Sequence, residues 1–328
     1  MRFTSFRQEG IDGLAIMSAF GAATGLTTSD PDYPGRLETL IQCGTASLRA
    51  AAEVLSRGRA IDLDGVEVLP VLSSPGKIIC VGLNYADHSA ESGFKQPDYP
   101  TLFSRFNSSL IGHGAPLVRP RQSGQLDYEG ELAAVIGTGG KNISRACALD
   151  HVLGYSIFND ASVRDYQFKT PQWIVGKNFD NTGAFGPALV TADELPPGCR
   201  GLKLVTRLNG ETVQCAMIED MIFDVATQIA LVSEVITLNP GDVFVTGTPA
   251  GVGLSRKPPL WMKAGDLCEV EIDRIGYCEI RSLMKTCRPL ADDTRLPKTL
   301  KIRKKGNDSD QRLYWRDPTP RRTRHSFT

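Results

Sequence analysis

The chain has 328 residues, 41% hydrophobic and 23% charged, with 37 Lys and Arg balancing 37 Asp and Glu at a formal net charge of zero. At roughly 100–200 residues per domain this is an ordinary globular chain of about two domains, which excludes whole-chain disorder, a collagen-like repeat and a small disulfide scaffold. The zero conceals an asymmetry: from Cys287 onward twelve basic residues face five acidic ones, so this stretch carries +7 and residues 1–286 carry −7, and such an acidic body argues against nucleic acid as a partner of the main domain.

In chain order, residues 1–72 read as a small N-terminal module with strands at 1–6 and 14–17 and an amphipathic helix at 34–56. Leu37, Leu40, Ile41, Leu48, Ala51 and Val54 form its apolar face. The apolar stretch 13–25 follows Arg2 and Arg7, but Glu9 and Asp12 interrupt its basic flank and Gly21 and Gly25 break it. A module is therefore expected there rather than a signal peptide, and no stretch reaches the ~20 apolar residues of a membrane span.

Ser73-Ser74-Pro75-Gly76 is turn chemistry and marks a domain boundary. Short strands are expected at 77–81, 102–106, 117–119, 127–136 and 152–158. Asn209-Gly210 predicts a hairpin between 202–208 and 211–214. A long helix at 219–238 stops at Asn239-Pro240-Gly241-Asp242, and strands at 242–246, 267–272 and 276–282 follow. Many short strands with few helices predict an α+β, mainly β body over 73–286 rather than a doubly wound fold. Apolar periodicity disappears from 287 to 328, which reads as a basic, poorly ordered tail. The eight scattered cysteines form no C-x-x-C pair and read as reduced, buried thiols of a cytosolic protein.

The sharpest chemical signal is Asp127-Tyr128-Glu129-Gly130-Glu131-Leu132. Residues two apart on a strand share a face, so Glu129 and Glu131 present paired carboxylates that run into apolar Ala133 and Val135. Buried acids of like charge need a compensating cation; a solvated strand edge with two surface acids is the other reading of this segment alone. Asp160 adds a third acid where the strand at 152–158 meets a loop. Three oxygen ligands suit Mg²⁺ or Mn²⁺ rather than Zn²⁺.

In Asp87-His88-Ser89-Ala90-Glu91, a helical turn places Glu91 where it can orient the His88 imidazole as a base, or the two form a surface pair. Lys177, in the apolar stretch Trp173-Ile174-Val175-Gly176-Lys177, either supports an oxyanion or snorkels at the surface. Gly247-Thr248-Pro249-Ala250-Gly251-Val252-Gly253 follows a strand but lacks the Gly-Lys-Ser/Thr ending of a phosphate loop; a tight loop approaching a ligand is the remaining functional reading.

Taken in order, Gly82-Leu83-Asn84-Tyr85-Ala86-Asp87-His88, the Asp127 to Leu132 segment, Asn159-Asp160 with Arg164-Asp165-Tyr166-Gln167, Gly176-Lys177-Asn178-Phe179-Asp180 and the Gly247 to Gly253 loop resemble the fumarylacetoacetate hydrolase family. The resemblance implies a mixed β-sandwich roll as the catalytic domain, a homodimer, and Mg²⁺ or Mn²⁺ held by Glu129, Glu131 and Asp160. It also implies catalytic roles for His88, Glu91 and Lys177, and substrate contacts at Arg164, Gln167 and Thr248. The expected substrate is a small 2-oxo or 1,3-diketo acid. The leading expectation is a cytoplasmic, metal-dependent hydrolase of C–C bonds in acylpyruvate-like acids, with His88 and Glu91 activating water and Lys177 supporting the oxyanion. An oxaloacetate-type decarboxylase, a hydroxymuconate-type isomerase or a ureidoglycolate lyase would use the same residues; a non-catalytic protein retaining the fold is the alternative of a different class. Arg105 and Asn178 depart from the family pattern and bear on specificity.

Overall fold

The computed structural model describes residues 1–19, 21–91 and 98–284, with 88–90 by backbone alone; the tail expected at 287–328 lies outside the described residues. The chain opens with an antiparallel meander, β1 (Arg2–Gln8), β2 (Ile11–Met17) and β3 (Ala23–Thr27). Two helices follow, α1 (Leu37–Cys43) and α2 (Thr45–Ser56). The single helix expected at 34–56 is thus split at Gly44, whose φ of +90° suits glycine and turns the chain between two apolar faces. Next come β4 (Arg59–Ile61), β5 (Glu67–Val68), β6 (Ile78–Gly82), α3 (Ala86–Glu91), β7 (Thr101–Ser104), β8 (Leu110–Ile111) and β9 (Pro116–Arg119).

The chemical signals fall on the next stretch, β10 (Leu126–Asp127), β11 (Gly130–Ile136), β12 (Val152–Asp160), β13 (Ser162–Val163), α4 (Arg164–Gln167) and α5 (Ile174–Lys177). The strand expected at 127–136 is therefore interrupted at Tyr128 and Glu129. After β14 (Gly183–Thr191) come the hairpin strands β15 (Lys203–Leu208) and β16 (Glu211–Met217), with Asn209 and Gly210 both at positive φ as its tight turn requires. The long helix is the shorter α6 (Val225–Val235), which begins where the Asp224 side chain accepts the Thr227 N–H. β17 (Val243–Val245), β18 (Leu267–Ile272) and β19 (Gly276–Met284) complete the described fold.

Two sheets carry it. The large one runs β4-β3-β2-β1-β14-β12-β11-β17-β6-β7, and β16-β15-β18-β19-β9 forms the second. The N-terminal meander joins the large sheet through β1, which pairs Phe3 with Leu189 of β14. Along β11, Ala133 and Val135 face a core shared with Leu37, Ile41, Leu48 and Leu55 of α1 and α2. Leu132, Ala134 and Ile136 face the opposite core, with Val270 and Ile280 of the second sheet and Ile229 of α6. A strand covered on both faces reads as the near-continuous apolar run seen at 132–136. The acids just ahead of this run consequently open into the interior of the protein.

Of the cysteines, Cys80, Cys199, Cys268 and Cys278 are buried, whereas Cys43, Cys147 and Cys215 are exposed, so the expectation of uniformly buried thiols is corrected; all seven are free. No described helix is long and apolar enough to cross a membrane.

Candidate active site

The antiparallel register of β11 and β12 sets Gly130 opposite Asn159, and the Asp160 amide donates to the Glu129 carbonyl at 2.8 Å. This pairing brings the start of one strand to the end of the other. Glu129, Glu131 and Asp160 are all buried, and they offer ligand oxygens within 4.8 Å of one another. Although Glu129 stands just ahead of the strand, its carboxylate still joins that of Glu131.

Three buried cations face this acidic group. Lys177 ends α5, and its Nζ lies 2.6 Å from both Glu129 Oε2 and Asp160 Oδ2. Burial pulls the Lys177 pKa down, but Asp160 and Glu129 more than reverse this and hold it raised. The surface-snorkelling reading is therefore wrong: the side chain is 2% exposed and sits over the Phe103 ring. Arg105 follows β7 and donates through Nη1 to Asp160 Oδ1 at 2.5 Å and through Nη2 to Thr182 at 2.7 Å. Arg164 opens α4; its Nε bonds Asp127 Oδ2 at 2.8 Å, and Nη1 bonds Gln167 Oε1 at 2.8 Å. Its Nη2 forms an ion pair with Glu129 Oε1 at 2.6 Å, without the alignment of a hydrogen bond.

Glu131 differs from its two neighbours. It accepts the Gly247 N–H at 2.5 Å, and no lysine or arginine among the described residues forms an ion pair with it. Burial, reinforced by Asp160 and Glu129, pushes its pKa well above the ordinary carboxylate range. A buried carboxylate in this position is either protonated or compensated by a cation. Four acids with Asp127 against three cations leave one negative charge, and all three clustered donors are hard oxygens. This donor chemistry fits Mg²⁺ or Mn²⁺.

Around the acids lies a cavity of about 570 Å³ lined by Glu129, Glu131, Arg164, Gln167, Lys177 and Thr248. With Glu91, seven of the nine residues singled out in the sequence thus line one space. Asp160 sits behind Lys177, and Glu91 lines the same cavity. Thr248 donates to the Gly130 carbonyl at 3.0 Å and accepts from Gln214 at 2.8 Å, which fixes the 247–253 loop to the base of β11. On α3, both Glu91 carboxylate oxygens lie 3.0 Å from the Gly251 N–H, and Oε2 accepts the Ser255 hydroxyl at 2.9 Å. Glu91 therefore ties α3 to the loop that borders the cavity. The His88 side chain lies outside the described residues.

Two residues emerge that sequence reasoning passed over or misplaced. Asp127 is fully buried and accepts the N–H groups of Tyr128, Gly253 and Leu254 besides Arg164, so it binds the loop to α4. In the sequence it is one more acid beside two apparent ligands, and nothing local separates the roles. Asn178 was expected to bear on specificity; instead its side chain accepts from the Phe106 N–H and donates to the Ser104 and Ile174 carbonyls, clamping β7 to α5.

The profile of the Fumarylacetoacetate (FAA) hydrolase C-terminal domain matches residues 77–281. The chain belongs to the fumarylacetoacetate hydrolase family. Within that family, it is 42% identical over 259 residues to oxaloacetate tautomerase fahd2, mitochondrial, of Xenopus laevis, covering 78% of this chain and 81% of that protein. Among solved structures, the fumarylacetoacetate hydrolase of Exiguobacterium antarcticum superposes with a TM-score of 0.75 at 36% identity, over 87% of this chain and all of that one. The 5-carboxymethyl-2-hydroxymuconate delta-isomerase of Mycobacterium smegmatis gives 0.68 at 28% identity, over 88% and all. The mainly β fold of the family is confirmed. Relatives of one fold are thus named for tautomerisation, hydrolysis and isomerisation, and the C–C hydrolase expected from the sequence is one of several family chemistries.

Proposed function

We propose that this family member is a divalent-cation-dependent enzyme that interconverts the enol and keto forms of a 2-oxo acid of the oxaloacetate type. The observation that carries this reading is the buried junction in which Lys177 bridges Glu129 and Asp160 while Glu131 has no cationic side chain of its own. The 42% identity to a protein named oxaloacetate tautomerase supports this chemistry among those for which family members are named. Glu129, Glu131 and Asp160 would hold the cation, Mg²⁺ or Mn²⁺. When bound, it supplies Lewis acidity to the carboxylate and 2-oxo oxygens of the substrate.

The chain's own groups then move the proton and fix the acid. Lys177 is the buried ammonium nearest the ligands and offers a charge-assisted hydrogen bond to negative charge that develops on the substrate oxygen. Arg164 and Gln167, locked to each other, present a rigid donor edge to the substrate carboxylate. His88, on a helix secured by Glu91, would serve as the base that exchanges the proton at C3. Apolar walls from Val81, Phe103, Trp173, Val252 and Leu254 restrict water and strengthen these interactions.

The test follows the ultraviolet absorbance of enol-oxaloacetate after mixing with protein and Mn²⁺. Accelerated decay that EDTA abolishes, with no release of CO₂ or pyruvate, is expected. Decay at the buffer rate with metal present would refute the reading. Hydrolysis of an acylpyruvate is the second reading, favoured by a cavity larger than a four-carbon acid needs; acid products released from acylpyruvates without enol-oxaloacetate turnover would establish it. A homodimer belongs to the proposal. The cytoplasm remains the sequence-based expectation for its location, while the name of the Xenopus relative places that protein in mitochondria.

A further inference from the structure

Charge around the cavity is unevenly settled. At the acidic end every cationic side chain is paired: Lys177 with Glu129 and Asp160, and Arg164 with Asp127 and Glu129. Ser255-Arg256-Lys257 borders the same cavity, and there the cations have no acid. Arg256 is half-buried. Its Nε faces the Tyr128 hydroxyl at 3.2 Å and the Gly251 carbonyl at 3.3 Å, and Nη2 donates to the Val213 carbonyl at 2.8 Å. These acceptors are neutral, and no described carboxylate forms an ion pair with Arg256. Lys257 is exposed and has no hydrogen-bond or ion-pair partner among the described residues. The acid closest in the chain of contacts is Glu91, whose oxygens are taken up by the Gly251 N–H and the Ser255 hydroxyl.

A half-buried guanidinium fixed by carbonyls and lacking a counter-ion is costly unless an anion completes it. Gly251 gathers these contacts: its carbonyl accepts from Arg256 and Tyr128, while its N–H, in the preceding peptide, holds Glu91. Arg256 and the acid cluster line one cavity together with apolar side chains such as Val81, Phe103, Trp173, Val252 and Leu254, so an occupant with a polar group at each end and hydrocarbon between suits it.

We propose that Arg256 and Lys257 form an anion subsite for the distal carboxylate of a dicarboxylic 2-oxo acid. The inference rests on the reading of the acid cluster as the 2-oxo end of the site. Arg256 supplies the Nη1 of a guanidinium held in place through its Nε and Nη2, and Lys257 a mobile charge that closes on the same carboxylate. Recognition of the second carboxylate of an oxaloacetate-type acid is thereby assigned to these two side chains.

Calorimetric binding to the full chain with saturating Mg²⁺ tests this with two pairs matched in carbon number: oxaloacetate against 2-oxobutanoate, and 2-oxoglutarate against 2-oxopentanoate. The wild type is expected to favour the dicarboxylate about ten- to a hundred-fold in at least one pair, the range of a charge-assisted contact. Lys257→Met, at an exposed position that leaves the core intact, should reduce that preference at least about five-fold with unchanged monocarboxylate affinity, and Lys257→Arg should restore it. Arg256→Gln should remove the preference more completely. No preference in either pair, a preference that survives in Lys257→Met, or equal loss of both members of a pair would overturn the subsite. Failure of all four acids to bind would instead overturn the 2-oxo-acid reading itself, and the subsite with it.

Discussion

Glu131 concentrates the electrostatic problem of the site. Its carboxyl is held well above the ordinary range by burial first, then by Asp160 and Glu129, against smaller opposing effects of Lys177 and the Gly247 N–H. A carboxyl whose pKa rises on folding favours the protonated native state. Its contribution is complete below the unfolded pKa and is lost as pH rises through the folded value. Without divalent cation, stability should therefore fall as pH climbs from the ordinary carboxylate range to the raised pKa of Glu131, by about 1.4 kcal/mol for each unit of elevation. A bound cation needs the ionised carboxylate and reverses the trend by mass action. Urea midpoints measured across this range should slope downward in EDTA and flatten with Mn²⁺, and Glu131→Gln should make the slope in EDTA shallower, the remainder coming from Asp127, whose carboxyl burial also raises. Equal slopes for wild type and Glu131→Gln would refute the assignment. At this scale Glu131 and Asp160 were legible because they lie on strands, whereas Glu129 stands just ahead of β11 and is brought to them by the Asp160 N–H that its carbonyl accepts. The role of Asp127 was hidden because its partners, Gly253, Leu254 and Arg164, are distant in sequence.

The elements that build the site differ in how openly the sequence declares them. The apolar run of β11 and the Asn209-Gly210 hairpin are local patterns and are found where expected. β14, a central strand between β1 and β12, was missed, because Gly183, Gly186 and Pro187 break the apolar alternation by which a strand is recognised. Its place depends on both neighbours rather than on its own sequence. The 247–253 loop is specified by a different means. Gly251 has φ +104°, and a Cβ there would clash with the Val213 carbonyl. Gly251→Ala should thus cost about 1–3 kcal/mol in backbone conformation alone and shift the two peptides of Gly251 that hold Glu91, Tyr128 and Arg256. The expected result is a lower urea midpoint together with loss of most enol-oxaloacetate turnover. Wild-type values for both would show that these peptides do not organise the site.

For the whole molecule, residues 1–285 form one compact unit containing both large cores. The sequence balance is then a sum over unlike parts: −7 over 1–286 and +7 beyond. An acidic body is a poor collector of anionic substrates by its long-range field, so under the proposed function attraction would be local, at the cations of the cavity and the divalent cation proposed there. Near physiological salt the Debye length is about 8 Å, which screens charge outside the cavity further. The basic residues beyond 286 consequently have no required part in binding the substrate. A chain ending at Lys285 should keep its urea midpoint within about 0.5 kcal/mol, as for changes away from packed contacts. It should also keep its enol-oxaloacetate turnover and elute at a more acidic isoelectric point. Light scattering of both forms should give twice the chain mass, since the proposed dimer is assigned to the folded unit. A truncated protein that is monomeric, or destabilised by more than about 1 kcal/mol, would place residues 286–328 within the working structure.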